Sequence, residues 1–149
     1  MRRVLLGSFA AIVGVASTMA LGADDPILAR QKLMYANGAV FYGVAGGMIK
    51  GEIPYNPIVA ASILRTTNAV AHNFGDHFPE GSETGRKTKA SPRIWEDITG
   101  FQAQLAKFKE VTDATADAKP QTLEEFQAIV SQIGPVCKSC HDDYRLEDD

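Results

Sequence analysis

Cys137-Lys138-Ser139-Cys140-His141, near the C-terminus, gathers two thiols and one imidazole within five residues. Cys-x-x-Cys-His is the attachment signature of c-type heme, and the spacing has a chemical reason. Each thiol adds across one vinyl group of the porphyrin, and the adjacent imidazole binds the iron. On a helix, positions 137, 140 and 141 stand at i, i+3 and i+4, so all three face one side. Lys138 and Ser139 point elsewhere. One short stretch therefore tethers the ring by two covalent bonds and supplies its proximal ligand.

Two other chemistries use the same residue types. A Cys-x-x-Cys pair serves thiol–disulfide exchange when a thiol pKa is lowered. That site opens a helix after a strand in a βαβ unit, and the sequence contains no such unit. Zinc takes about four N or S ligands in a closed tetrahedron. Only His72 and His77 remain to complete one, and their spacing does not recommend them. Both are read as ordinary histidines, and His77 is expected to face solvent. Heme is the expected occupant.

The elements that must position this signature are legible as four helices. Asp25-Pro26, Asn56-Pro57 and Ser91-Pro92 each set a capping side chain before a proline at the first helical position. The side-chain oxygen accepts an otherwise unpaired N–H, and proline loses nothing there. Thr122-Leu123-Glu124-Glu125 fits the capping box of a fourth helix.

Apolar spacing agrees with these starts. Leu33, Met34, Phe41, Val44, Ala45 and Met48 mark the first helix, interrupted by glycines at 38, 43, 46 and 47. Each such glycine weakens a helix by up to about 1 kcal/mol. Close approach of another backbone or of the heme would explain them, and so would a frayed end at Gly46-Gly47. Val59, Ile63, Val70 and Phe74 lie on one stripe of the second helix. Ile94, Ile98, Phe101, Leu105 and Phe108 form a bundle seam in the third. In the fourth, Phe126, Ile129, Val130, Ile133, Val136, Cys137, Cys140 and Tyr144 run straight into the heme signature.

Short turns at 50–55 and 113–121 and a longer loop at 75–91 make neighbors antiparallel. The expected fold is all-α, an up-down-up-down four-helix bundle with covalently attached heme. Gly134-Pro135 sits badly in it, because Pro135 removes a backbone donor and is expected to bend or break the last helix.

The front of the chain reads as a secretory signal. Arg2 and Arg3 precede an apolar run from Val4 to Val15, and Ala20-Leu21-Gly22 fits a small-x-small cleavage site. The run is short for a bilayer span, which takes about 20 residues. Residues 1–22 are therefore expected to be a cleaved signal peptide and residues 23–149 one heme domain, exported from the cytoplasm. No later segment is apolar enough to span a membrane. The mature part carries 13 Lys and Arg against 18 Asp and Glu, a net charge of −5. A basic nucleic-acid footprint is absent, and an acidic surface favors positively charged partners.

At this point the sequence resembles the class II c-type cytochromes, which include cytochrome c′ and its low-spin relatives. The matching stretches are Arg30-Gln31-Lys32-Leu33-Met34, Lys50-Gly51-Glu52-Ile53-Pro54-Tyr55, Phe78-Pro79-Glu80-Gly81-Ser82, Pro92-Arg93-Ile94-Trp95 and Cys137 to Arg145. They span the mature chain. The resemblance implies a periplasmic four-helix bundle with one heme c near the C-terminus. It places Arg30 and Gln31 near the heme edge and its propionates, and Arg145 near the proximal face. Arg145 is four residues after His141 and shares its helix face. Family members are often dimers through their first two helices, and the apolar run from Val40 to Val44 permits that.

Function turns on the position opposite His141. The mature chain has two methionines, Met34 and Met48. His141 lies roughly 8 Å before the end of its helix at 1.5 Å per residue, and Met34 lies roughly 12 Å into the antiparallel first helix. Met48 lies roughly 33 Å in, at the far end. Only Met34 stands at heme depth. If its thioether binds iron, the site is six-coordinate and suits electron transfer. If it only packs on the ring, the iron is open to nitric oxide or carbon monoxide. Trp95, Tyr42 and Tyr55 read as core or interface. No catalytic constellation appears, so the expectation is an electron carrier that docks redox partner proteins rather than an enzyme. A gas-binding cytochrome is the alternative.

Overall fold

The structure, a computed structural model, describes residues 25–147. The signal-peptide reading and the mature start at Ala23 lie outside the described residues. Within them the chain forms helices, and its one β-bridge joins Ala90 to Arg145.

The first rod consists of α1 (Pro26–Gly38), a π-helical stretch (Ala39–Ala45) and α2 (Gly46–Ile49). Asp25 caps it by accepting from the N–H groups of Ile27 and Leu28. Gly46-Gly47 is not frayed. The Gly47 carbonyl accepts from Glu52 and Ile53 in the following turn. A methyl at position 47 would meet Ile53 Cδ1 at 2.7 Å, so the close approach of the turn explains this glycine.

In the π stretch the Gly46 N–H reaches back to the Phe41 carbonyl, one residue further than in an α-helix. The stretch turns Phe41 and Ala45 into the core, with Val40 and Val44 packed against it. This corrects the expectation of an apolar surface over residues 40–44, of which only Tyr42 is largely exposed as a side chain of size. The large exposed apolar side chains of the first two rods are instead Tyr35, Tyr42, Ile58 and Val59.

α3 (Pro57–Phe74) is capped by Asn56, whose side chain accepts from Ile58 and Val59. Ile63 and Val70 are buried as expected, but Val59 stays 37 % exposed in the first turn.

The third rod is divided, which the sequence did not suggest. α4 (Arg93–Glu96) is a single turn, and α5 (Ile98–Asp113) starts anew after Asp97. Asp97 leaves the helical region at φ −127° and ψ 59°. Its carboxylate accepts from the Gly100 N–H at 3.0 Å and from the Tyr144 hydroxyl at 2.9 Å. The break moves Ile98 out of the expected seam to the surface, while Ile94, Phe101 and Phe108 remain buried.

α6 (Leu123–Tyr144) opens with Thr122 accepting from the Glu125 N–H, and Glu125 in turn takes the Gln121 N–H. It runs through Gly134-Pro135 without the break that was one of the two outcomes expected there. Pro135 lies on the exposed face, where a carbonyl that loses its partner can bond water.

α1 packs on α3, α3 on α5 and α5 on α6, and α6 reaches α2 to close the ring. The larger core gathers Phe41, Met48, Leu64, Phe126 and Ile133. A smaller one gathers Ile94, Phe101 and Tyr144 with Phe78 and Trp95 against them. Each such fully buried side chain contributes about 1.5–3 kcal/mol.

Gly100 is the tight point between them. A methyl there would collide with the Asp97 carboxylate and the Tyr144 hydroxyl together. Gly100→Ala should therefore lose about 1–3 kcal/mol to overpacking, read as a lower midpoint in thermal unfolding. An unchanged midpoint would show that this corner yields freely.

Candidate heme site

Between α1, α5 and the C-terminal half of α6 lies a cavity of about 480 Å³. α1 contributes Arg30, Gln31, Met34, Asn37 and Gly38 to its wall, and α6 contributes Val136, Cys137, Cys140, His141 and Tyr144. Phe78, Phe101, Leu105 and Phe108 line the side between them, and Thr88, Lys89 and Arg145 stand with them in the wall. Every site residue named from the sequence therefore borders one cavity. Met48 does not, being 2 % exposed in the larger core, so Met34 is the cavity's methionine among the described residues.

The helix period brings the two thiols and the imidazole to this face. Burial pushes the Cys137 thiol up, and burial followed by the neighboring Cys137 pushes Cys140 up to about 11. Thiol–disulfide exchange needs the opposite shift. Burial and then the Arg145 guanidinium hold the His141 imidazole below its ordinary range, so the ring is neutral at pH 7, the form that ligates metals. Among the described residues no group of three or more His, Cys, Asp or Glu side chains converges as a metal cluster would. His72 instead bonds Asp113 on the surface at 2.6 Å, and His77 is half-buried rather than solvent-facing.

Arg30 differs from a solvated surface arginine. It is 3 % exposed and lies over the rings of Phe78 at 4.8 Å and Trp95 at 5.5 Å. Its two terminal nitrogens donate to the His77 carbonyl, to the Ser82 hydroxyl and carbonyl, and to the Thr88 hydroxyl. It therefore staples the loop at 75–91 onto the bundle. Its Nε stays buried without a partner. Gln31 is likewise engaged, donating to the Arg86 carbonyl at 2.9 Å. That carbonyl lies in a run of three left-handed residues, Gly85, Arg86 and Lys87, with φ of 111°, 46° and 50°. Arg86 is held there by an ion pair with Asp25.

The loop and the tail close on each other beside the cavity. Ser91 N–H donates to the Tyr144 carbonyl at 3.0 Å, and Leu146 N–H to the Lys89 carbonyl at 2.8 Å.

Several wall residues were not picked out from the sequence: Asn37, Thr88 and Lys89. Asn37 had a signal, since it follows Arg30 by seven residues and Met34 by three and so shares their face. The others depend on loop closure, which no local pattern encodes.

Asp97 is also a pH-sensitive element. The Gly100 N–H and then the Tyr144 hydroxyl hold its carboxyl below the usual 3.8. The Leu28 N–H and then Arg86 do the same for Asp25. Groups depressed in the folded state contribute stability that is present above their unfolded pKa and lost as the pH falls through the folded value. The thermal midpoint should therefore decline below about pH 4, and Asp97→Asn should make that decline shallower. An identical acid limb in the variant would remove Asp97 from the account.

The residues present fit a heme. The cavity wall is mostly apolar, two protonated thiols and a neutral imidazole share one face of it, and a buried guanidinium N–H lacks a partner at its edge. An antiparallel helical bundle with such a wall around a Cys-x-x-Cys-His helix has the architecture of a c-type cytochrome. The cytochrome c′ family model matches residues 25–145. The chain is 34 % identical to cytochrome c′ of Cereibacter sphaeroides over 99 % of both chains, and 33 % identical to cytochrome c-556 of Agrobacterium fabrum over 70 % of both. Its fold is similar to the solved structure of cytochrome c′ from Rhodopseudomonas palustris, at TM-score 0.78 and 28 % identity, covering 85 % of this chain and all of that one. It is also similar to a nitric oxide complex of a cytochrome c prime variant from Alcaligenes xylosoxidans, at TM-score 0.70 and 27 % identity, covering 83 % and 95 %. The chain belongs to the cytochrome c′ family, and its cofactor is one covalently attached heme c with its iron.

Proposed function

We propose that the chain is a periplasmic electron carrier whose iron is held between His141 and Met34. The observation that carries this reading is that these two side chains border the same cavity from α6 and α1. Heme supplies reversible one-electron chemistry when bound. The chain's own residues do the rest. Cys137 and Cys140 hold the ring through thioethers, and His141 is presented neutral for the metal. Met34 covers the opposite side with a soft thioether that raises the reduction potential. Arg30, with its unpartnered Nε, and Arg145 supply positive charge for the carboxylates of the ring and for its proximal side, while Gln31 fixes the rim. The apolar wall of Phe78, Phe101 and Phe108 excludes water.

Export rests on Arg2, Arg3 and the apolar run that follows. Among the described residues no helix is long and apolar enough to cross a membrane. The carrier reading includes no enzymatic step, and its partners are redox proteins. Tyr35, Tyr42, Ile58 and Val59, exposed on the first two rods, are the apolar side chains a homodimer could use.

The second reading is a five-coordinate protein that takes nitric oxide. Its support is the relative seen as a nitric oxide complex. The optical spectrum of the reduced protein with and without carbon monoxide separates the two. A sharp low-spin spectrum that carbon monoxide does not move supports the carrier, and a broad spectrum that shifts supports the gas binder.

A further inference from the structure

Tyr144 and Asp97 make a contact that packing alone does not require. Tyr144 is 6 % exposed and borders the cavity. It stands three residues after His141 and four after Cys140, on the helix face that carries both. Cys140 packs against the cluster that Tyr144 forms with Ile94 and Phe101. A phenylalanine would fill the same space. The hydroxyl is added to that ring, and it donates to Asp97 Oδ2 at 2.9 Å. Asp97 needs only its other oxygen to cap α5, since Oδ1 takes the Gly100 N–H at 3.0 Å.

Three features converge on this contact. The third rod is interrupted at Asp97. Gly100 leaves a space that no methyl could share. The Ser91 N–H holds the Tyr144 carbonyl in place. A hydroxyl bonded to a carboxylate is a charge-assisted contact, and both donors favor the ionized carboxyl. One negative charge is thereby fixed behind a ring that borders the cavity. Arg93 lies over the same ring at 5.7 Å and offsets part of that charge, but it is shared with Asp143. Asp142 is taken up by Lys138. An anion held beside a redox center opposes the arrival of an electron.

We propose that the Asp97 carboxylate, held in place by the Tyr144 hydroxyl, lowers the reduction potential of the heme from the His141 side. Tyr144 is the positioning residue, and the carboxylate is the source of the field. The inference deepens the carrier reading, with Met34 raising the potential and Asp97 lowering it. It rests on heme held by His141 and stands whether or not Met34 binds the iron.

The test measures the reduction potential of heme-loaded protein at pH 7 in four forms: unsubstituted, Asp97→Asn, Tyr144→Phe and the double variant. Asp97→Asn removes the charge and keeps the shape. It should raise the equilibrium constant for reduction by about threefold to tenfold, the worth of one charge partly screened by water. Tyr144→Phe frees the carboxylate to turn toward solvent and should act in the same direction. Both changes undo one contact, so the double variant should shift no further than Asp97→Asn alone. Unchanged potentials in the single variants would overturn the proposal, and so would shifts that add. A purely structural contact would lower the thermal midpoint and leave the potential in place. If Tyr144→Phe takes up no heme, infrared difference spectra between oxidized and reduced protein decide. A carboxylate band that moves with the state of the iron and is missing in Asp97→Asn supports the coupling, and its absence from the unsubstituted protein overturns it. Optical spectra of the same samples report the iron ligands, so a failure of the carrier reading shows there and not in the comparison of potentials.

Discussion

Serine at positions 137 and 140 together should yield a polypeptide that carries no covalent pigment. The reasoning starts from the cavity, where both cysteines line one wall and their thiols are protonated, inert toward disulfide exchange and committed to no other partner. Thioether formation is the one bond that would use both. Without it, retention of the ring depends on His141, Met34 and apolar contact. Peroxidase staining after denaturing electrophoresis should be lost entirely, and intact mass should equal that of the bare processed chain. Single serine variants should keep the ring by one bond. A double variant that still stains would mean that attachment lies elsewhere. The unloaded cavity would also leave Phe78, Phe101 and Phe108 without cover on one side. The variant should therefore unfold at lower temperature, with an order-of-magnitude cost of several kcal/mol for the lost apolar contacts.

The second large effect is expected at Met34. In the loaded protein, Met34→Ala should change the reduced spectrum from one that ignores carbon monoxide to one that shifts fully with it. The reduction potential should fall, since methionine ligation raises it. Met48→Ala offers a control of equal chemistry in a different place. It removes a side chain buried in the larger core and should destabilize the protein by about 2–5 kcal/mol while leaving the spectrum alone. If Met34→Ala leaves spectrum and potential unchanged, Met34 only packs beside the ring, and the gas-binding reading takes precedence. Met34→Leu separates packing from ligation, because it keeps the volume and removes the sulfur.

The parts of this molecule that local rules govern could be read in advance. Asp25 and Asn56 cap their helices with the proline in first position, as their types dictate. The stripe from Phe126 to Tyr144 runs along α6 and delivers the heme signature to the interior. Depth along antiparallel helices sorted Met34 from Met48. What escaped depends on partners far along the chain. At the Asp97 break the carboxylate caps α5 through Gly100 with one oxygen and takes Tyr144, 47 residues later, with the other. Arg30 is buried because residues 77–88 fold back over it. The π stretch reflects a register set by the core around Phe41, which no single segment contains. Pro135 is a different case, since the helix continues through it. Its type forbids a hydrogen bond, but only its position on the wet face makes that loss tolerable.

The pairing of residues 89–91 with residues 144–146 bears on the order of assembly. The arm that carries the attachment residues is α6, and residues 144–146 at its end form one side of that seam. Three rods and the stapled loop can be in place while this arm still hangs open. Maturation enzymes can then reach both sulfurs before the seam zips. Lys89, Ala90, Tyr144 and Arg145 on the two sides of that seam also border the cavity, so a ring joined to both sulfurs is expected to enter more easily before the seam closes than after it.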